Sequence, residues 1–139
     1  MNNIIIRSAK ENDLPYCVEL LHTPEFRFAD GDFPDLNYLK IYLDDHFFLV
    51  AEDQGKIIGC IFGEPLKGGL ATIWYFVVNE SYRSQGVGKQ LYQEYEKRVK
   101  VQGVEWIVVY ANHNEKALNF YIKQGYNVGH DFFEINKQI

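Results

Sequence analysis

Three features of the 139-residue sequence predict an α/β (α+β) fold, with about four helices packed on a mixed, mostly antiparallel sheet of six to seven strands. The first is an apolar run from Ile73 to Val78, rich in β-branched and aromatic residues as a buried strand is, which breaks into a glycine-bearing loop and then into an amphipathic helix. The second is a pair of strand-like segments, Phe47 to Asp53 and Lys56 to Gly63, flanking Gln54-Gly55, which reads as an antiparallel hairpin. The third is Trp106 to Tyr110, a short apolar segment after the helix. It must return parallel to the Ile73 strand, in a strand, helix and strand unit of right-handed sense.

Taken in order, Ile4-Ile5-Ile6 is a first strand, and Ser8 to Asp13 contains two helix caps before the apolar face of Leu14, Cys17, Val18 and Leu21. His22-Thr23-Pro24 ends that helix. Glu25 to Asp35 has no period of either kind and mixes four carboxylates with three phenylalanines, as a connection or the wall of a site does. A second helix follows from Asp35 as cap through Leu36, Leu39 and Leu43. After the hairpin, Leu66 to Leu70 turns the chain into the central strand, so strands two to four form a meander. Val87, Leu91, Tyr95 and Val99 then recur every four residues, the stripe of a core-facing helix. A last helix runs from Glu115 to Gln124 and stops at Gly125, and the tail holds one or two more strands around Phe132 to Ile135.

Length predicts a single domain over residues 1–139. Hydrophobic content of 47% with 16% aromatic residues excludes disorder, and no apolar stretch is long enough to cross a membrane. Met1 to Arg7 has too short an apolar region for a signal peptide, which points to the cytoplasm. A net charge of −5 without a basic run argues against nucleic acid as a partner. Cys17 and Cys60 read as small core residues, and His22, His46, His113 and His130 share no ligand spacing, so no metal is expected.

The junction Arg83-Ser84-Gln85-Gly86-Val87-Gly88-Lys89 carries the chemistry. Its glycines let the backbone turn and leave no side chains in front of the first helical amides, which suits an anion such as phosphate. Leu91 stands where a dinucleotide fingerprint needs its third glycine, and no Gly-Lys-Ser/Thr follows, so neither common nucleotide loop is present. R-x-x-G-x-G after Val77-Val78 resembles instead the acyl-coenzyme A pyrophosphate loop of the GCN5-related N-acetyltransferase (GNAT) family. The segment from Asn114 to Tyr126, with Ala117, Tyr121 and Gly125 in place, is similar to that family's second signature, N-x-x-A-x-x-x-Y-x-x-x-G-F/Y.

The resemblance spans nearly the whole chain and implies acetyl transfer from acetyl-CoA to a primary amine of a small molecule or peptide, by a monomer or homodimer. It implies that the fourth and fifth strands splay apart at a bulge near Val78. Main-chain groups of Phe76, Val77 and Val78 would then bind the pantetheine arm as an added strand does, with the Val78 N–H stabilising the oxyanion. Arg83, Ser84, Gln85, Gly86, Val87, Gly88 and Lys89 would hold the pyrophosphate. Asn114 would contact the pantetheine region, cap the last helix, or both. Tyr121 matches the general acid, although its apolar neighbours also suit a core aromatic. The acceptor side would be lined by Phe28, Asp30, Asp32 and Trp74, with Glu25, Phe26 and Phe33, a set suited to an organic cation with an apolar portion. Trp74 stands where the family often has a basic glutamate; Glu64, Glu80, Tyr75 or a water chain is left to serve. That gap keeps a second reading open, a module that binds acyl-CoA as a sensor without efficient catalysis.

Overall fold

The computed structural model describes residues 3–28, 30–111, 115–130, 133 and 135–139. They fall into two compact units, Met1–Val109 and Tyr110–Ile139. In the first, β1 (Ile4–Ser8), β2 (Phe48–Asp53), β3 (Lys56–Leu66), β4 (Leu70–Val78) and β5 (Trp106–Val108) form one sheet in that order. The first four pair antiparallel, and β5 joins β4 in parallel. The hairpin turns where expected, because Gln54 and Gly55 both adopt left-handed φ, +48° and +83°, which matches the twist of the flanking strands.

The sheet has five strands among the described residues, not the six to seven expected from the sequence. Phe132 and Glu134 of the expected tail strand lie outside the described residues. Phe133 and Ile135 are 94% and 91% exposed, and β-propensity alone makes no strand without a surface to pack on. β5 is also shorter than the expected Trp106 to Tyr110, ending at Val108.

α1 (Leu14–Leu20) and α2 (Leu36–Tyr42) cover one face of the sheet. There Leu14, Cys17, Leu21 and Leu39 pack with Phe48, Val50, Cys60, Phe62 and Val77. Both cysteines are free and buried, and the Cys17 hydrogen bond together with burial pushes the Cys60 thiol up. Asp35 caps α2 as expected, its carboxylate accepting the Tyr38 N–H at 2.8 Å. Arg7 of β1 donates to Asp13 at 2.7 Å and to Glu52 at 2.9 Å, tying β1 and β2 to the start of α1.

α3 (Val87–Val101) covers the other face, burying Val87, Leu91, Tyr92, Tyr95 and Val99. At about 2 kcal/mol for each fully buried side chain, this stripe is a large share of what holds the helix to the sheet. In the second unit, α4 (Glu115–Lys123) ends at Gly125, whose φ is +97°.

Candidate functional site

The loop between β4 and α3 is held at several points before the helix begins. A short turn, Glu80–Tyr82, is capped by the Asn79 carboxamide oxygen, which accepts the Ser81 N–H at 2.9 Å. The Tyr82 hydroxyl donates to Asp53 at 2.7 Å, anchoring the turn to the end of β2. That bond raises the Tyr82 pKa. Ser84 and Gly86 then take left-handed φ of +64° and +81°, so the backbone reverses twice within three residues. The first hydrogen bond of the α3 ladder runs from the Gln90 N–H to the Gly86 carbonyl at 3.0 Å, which leaves the amides of Val87, Gly88 and Lys89 ahead of it at the positive end of the helix. Nothing stands within 4 Å of the position that a Cβ on Gly86 would occupy. The Arg83 guanidinium, exposed like its neighbours Ser84 and Gln85, donates to the Val78 carbonyl at 3.3 Å, and the Gln85 carboxamide donates to the Ser81 carbonyl at 3.2 Å.

Upstream of the loop, β4 pairs with β3 along its length and with β5 only at its start. Asn79 donates to the Ile58 carbonyl at 2.7 Å, which sets the phase of the ladder: the Asn79 N–H faces β3. In an antiparallel ladder such pairs alternate, which puts the N–H groups of Val77 and Tyr75 toward β3 and those of Val78 and Phe76 away from it. The side they face is the one β5 has left, since β5 pairs only with Leu70, Ala71 and Thr72. The β5 ladder thus ends short of Val78, on the side where the gap was expected. The bulge expected near Val78 lies elsewhere: the register between β3 and β4 shifts between Phe62 and Gly63, making Trp74 the extra residue.

The bulge re-aims a side chain. Along a regular strand Trp74 and Tyr75 would face opposite sides. Here the Tyr75 ring stacks on Phe62 at 5.3 Å, while the Trp74 ring lies 6.4 Å from Tyr42, itself 5.3 Å from Phe62. Both therefore stand on the α1 and α2 face. Tyr38 joins them, 6.0 Å from Tyr75, and Phe28 closes on Tyr38 at 5.1 Å. The Trp74 indole N–H donates to the Glu64 carboxylate at 2.9 Å, which brings one acid to the edge of this aromatic group. Burial pushes the Tyr38 phenol well above its usual value and raises Tyr75 as well.

Of the acceptor residues expected from sequence, Phe28 and Trp74 thus belong to one cluster. Asp30 and Asp32 are exposed and make the turn of their own loop, the Asp32 N–H donating to the Asp30 carboxylate at 2.9 Å and its carbonyl accepting from Phe28 at 2.7 Å. Phe33 packs on His22 at 3.9 Å, with the Arg27 guanidinium 5.1 Å above its ring. Tyr38 and Tyr42 were not singled out by the sequence. Their four-residue spacing on α2 was the available signal, hidden beside the Leu36, Leu39 and Leu43 stripe. In the second unit Tyr121 is half-buried, its ring 5.5 Å from Phe120 and 5.2 Å from Tyr126, and Asn114 lies outside the described residues.

A model of the acetyltransferase (GNAT) family matches residues 14–126. The chain belongs to that family. It is 27% identical over 101 residues to "Acetyltransferase SG1711" of Sodalis glossinidius (strain morsitans), covering 72% of this chain and 70% of the relative. In fold it is similar to an aminoglycoside acetyltransferase, meta-AAC0020, from an uncultured soil metagenomic sample, solved in complex with sisomicin. That match has a TM-score of 0.72 at 24% identity over 98% of this chain and 96% of the other. It is also similar to the diaminobutyrate acetyltransferase EctA of Paenibacillus lautus, solved with its substrate and coenzyme A. There the TM-score is 0.78 at 18% identity, covering 89% of this chain and 75% of the other. Among the described residues of this GNAT acetyltransferase, no helix is long and apolar enough to cross a membrane.

Proposed function

We propose that this acetyltransferase moves an acetyl group from acetyl-CoA to the primary amine of a small molecule or peptide. The observation that carries the reading is the Val78 N–H, which faces away from β3 beyond the end of the β5 ladder, shortly before the first amides of α3 at Val87, Gly88 and Lys89. Main-chain groups of Phe76, Val77 and Val78 would hold the extended arm of the cofactor as an added strand is held. The loop from Arg83 to Lys89 would hold its diphosphate, and Asn114 would add a contact by virtue of its place in the second motif.

Acetyl-CoA would supply a thioester whose carbon accepts the amine and whose sulfur leaves. The roles of this chain's residues follow from what must be charged or neutral at each point. An amine enters as an ammonium and must lose a proton before its lone pair can attack; Glu64, at the rim of the aromatic cluster, is suited to accept it. The Val78 N–H donates to the oxygen as it takes negative charge. Tyr121, assigned by its place in the second motif, would give its hydroxyl proton to the thiolate when the C–S bond breaks and regain one from the second proton that the nitrogen sheds as the amide forms. Phe28, Tyr38, Tyr42 and Trp74 would receive the apolar body of the amine, while Asp30 and Asp32 attract its charge from the loop outside.

Two measurements test the reading. Tyr121→Phe should lower the maximal rate about a hundredfold while leaving the affinity for coenzyme A unchanged; an unchanged rate removes Tyr121 from proton transfer. A panel of amines assayed by release of free thiol tests turnover itself. Binding of coenzyme A with no thiol released from any amine would make the chain a sensor, the reading that the absence of a carboxylate on β4 favours.

A further inference from the structure

The loop after β4 is tied to the sheet at two points, one through main chain and one through side chains. The first is Asn79, whose N–H donates to the Ile58 carbonyl of β3 at 2.7 Å. The second is Tyr82, the last residue of the Glu80–Tyr82 turn, whose hydroxyl donates to the Asp53 carboxylate at 2.7 Å across 29 positions of sequence. Asp53 is a firm anchor. As the last residue of β2 it is paired on both sides, with Ile4 of β1 and with Lys56 of β3.

The helix beyond the loop is seated separately. Val87 and Leu91 are buried, and β3 makes way for Leu91 at Gly59, where a Cβ would lie 3.0 Å from the Leu91 Cδ1 and 3.1 Å from the Val77 carbonyl oxygen. Between Tyr82 and Val87 the chain passes through Ser84 at φ +64°, a left-handed conformation that costs a residue with a Cβ free energy. Such a conformation persists where its surroundings impose it. Here the two ends of the segment are held by different parts of the sheet, Tyr82 through Asp53 and Val87 through the core. We propose that Tyr82 and Asp53 are positioning residues for the acyl donor, whose bond fixes the path of Arg83 to Gly86 ahead of the first amides of α3, so that loop and helix end form one cradle for a diphosphate. Both act through the main chain of the loop and not on the reacting atoms. The inference rests on the acetyltransferase reading for what the cradle holds, and on the geometry alone for what shapes it.

Three variants test it: Tyr82→Phe, which removes the donor without changing charge; Asp53→Ala, which removes the acceptor; and Asp53→Asn, which keeps an acceptor oxygen. Titration calorimetry with coenzyme A is expected to show about fivefold weaker affinity for Tyr82→Phe and about threefold weaker for Asp53→Ala, with Asp53→Asn no weaker than the parent. Loss of a carboxylate beside the loop would by itself tighten the binding of a polyanion, so weaker binding by Asp53→Ala reports the lost bond. Limited trypsin digestion, followed by mass spectrometry, should cut after Arg83 about tenfold faster in Tyr82→Phe, because the loop opens more often. A bond that served stability alone would lower the melting temperature and leave both the affinity for coenzyme A and the cleavage at Arg83 as in the parent, and that result overturns the proposal. Tighter binding by both Asp53 variants overturns it too, since Asp53 would then act only by its charge. Should the parent itself bind no coenzyme A, the acetyltransferase reading fails, and the cleavage at Arg83 still decides whether this bond holds the loop.

Discussion

The two edges of β4 are made by the same nine residues and behave oppositely. Toward β3 the pairing runs from Leu70 to Val78, interrupted only at Trp74; toward β5 it ends after three rungs, at Thr72. Nothing in the apolar character of Ile73 to Val78 distinguishes the edges. Where the β5 ladder ends, the Thr72 hydroxyl donates to the Val108 carbonyl, and the Thr72 carbonyl accepts from the Tyr95 hydroxyl beside Gly63. Propensity makes the strand, and says nothing of where its ladder stops. A strand edge that outruns its ladder is otherwise a liability. In the function proposed above it is where the extended arm of the cofactor would be held.

Proline distinguishes the two edges directly, because it removes one N–H at a time. Val77→Pro deletes an N–H that the alternation aims at β3, inside the paired edge, and is expected to cost 3 kcal/mol or more in chemical denaturation. Val78→Pro deletes an N–H that faces the gap. It should cost markedly less stability, yet lower the rate of acetyl transfer about a hundredfold, the usual loss for one oxyanion donor. Equal destabilisation by the two prolines would mean that Val78 is paired like Val77 and that the edges do not differ as described.

How much of this was legible depended on whether the signal was local. The hairpin at Gln54-Gly55, the Asp35 cap and the Val87, Leu91, Tyr95 and Val99 stripe could be read because turn chemistry, capping and helical period are written within a few residues. The loop from Arg83 to Gly88 could be read as a motif for the same reason. The bulge at Trp74 could not, since it is a shift of register against β3, between Phe62 and Gly63, and no local pattern on β4 marks it. Tyr38 and Tyr42 escaped notice similarly. An aromatic pair on a helix reads as core until the strand it faces is known to present Trp74 and Tyr75 together. The tail strand was expected around Phe132 to Ile135, and Phe133 and Ile135 are exposed instead.

The bulge also sharpens what the paired edge contributes, since it brings Trp74 to Glu64 across β3 and β4. Glu64→Gln keeps an acceptor for the indole N–H and removes the base. It should lower kcat/KM for the amine about tenfold near pH 7, with the KM for acetyl-CoA unchanged, and the deficit should narrow as pH rises and more of the amine arrives neutral. A deficit that stays constant with pH would assign Glu64 to shaping the pocket and leave deprotonation to another group.

The smallest effect is silent at neutral pH and belongs to the aromatic face. Burial raises the Tyr38 and Tyr75 phenols above their usual value because a phenolate among rings and neighbouring hydroxyls loses hydration without gaining a cation. In the unfolded chain both ionise near pH 10, so the unfolded state sheds protons first. Their contribution is therefore fully present below that pH and is lost as pH rises through the higher folded values. Denaturation midpoints should be flat from neutral pH to about pH 9 and fall above pH 10, and Tyr38→Phe, which has no proton to lose, should make that fall shallower. A fall as steep as in the parent would show that the cluster admits water freely, and an aromatic face that wet would not select an amine by its apolar body.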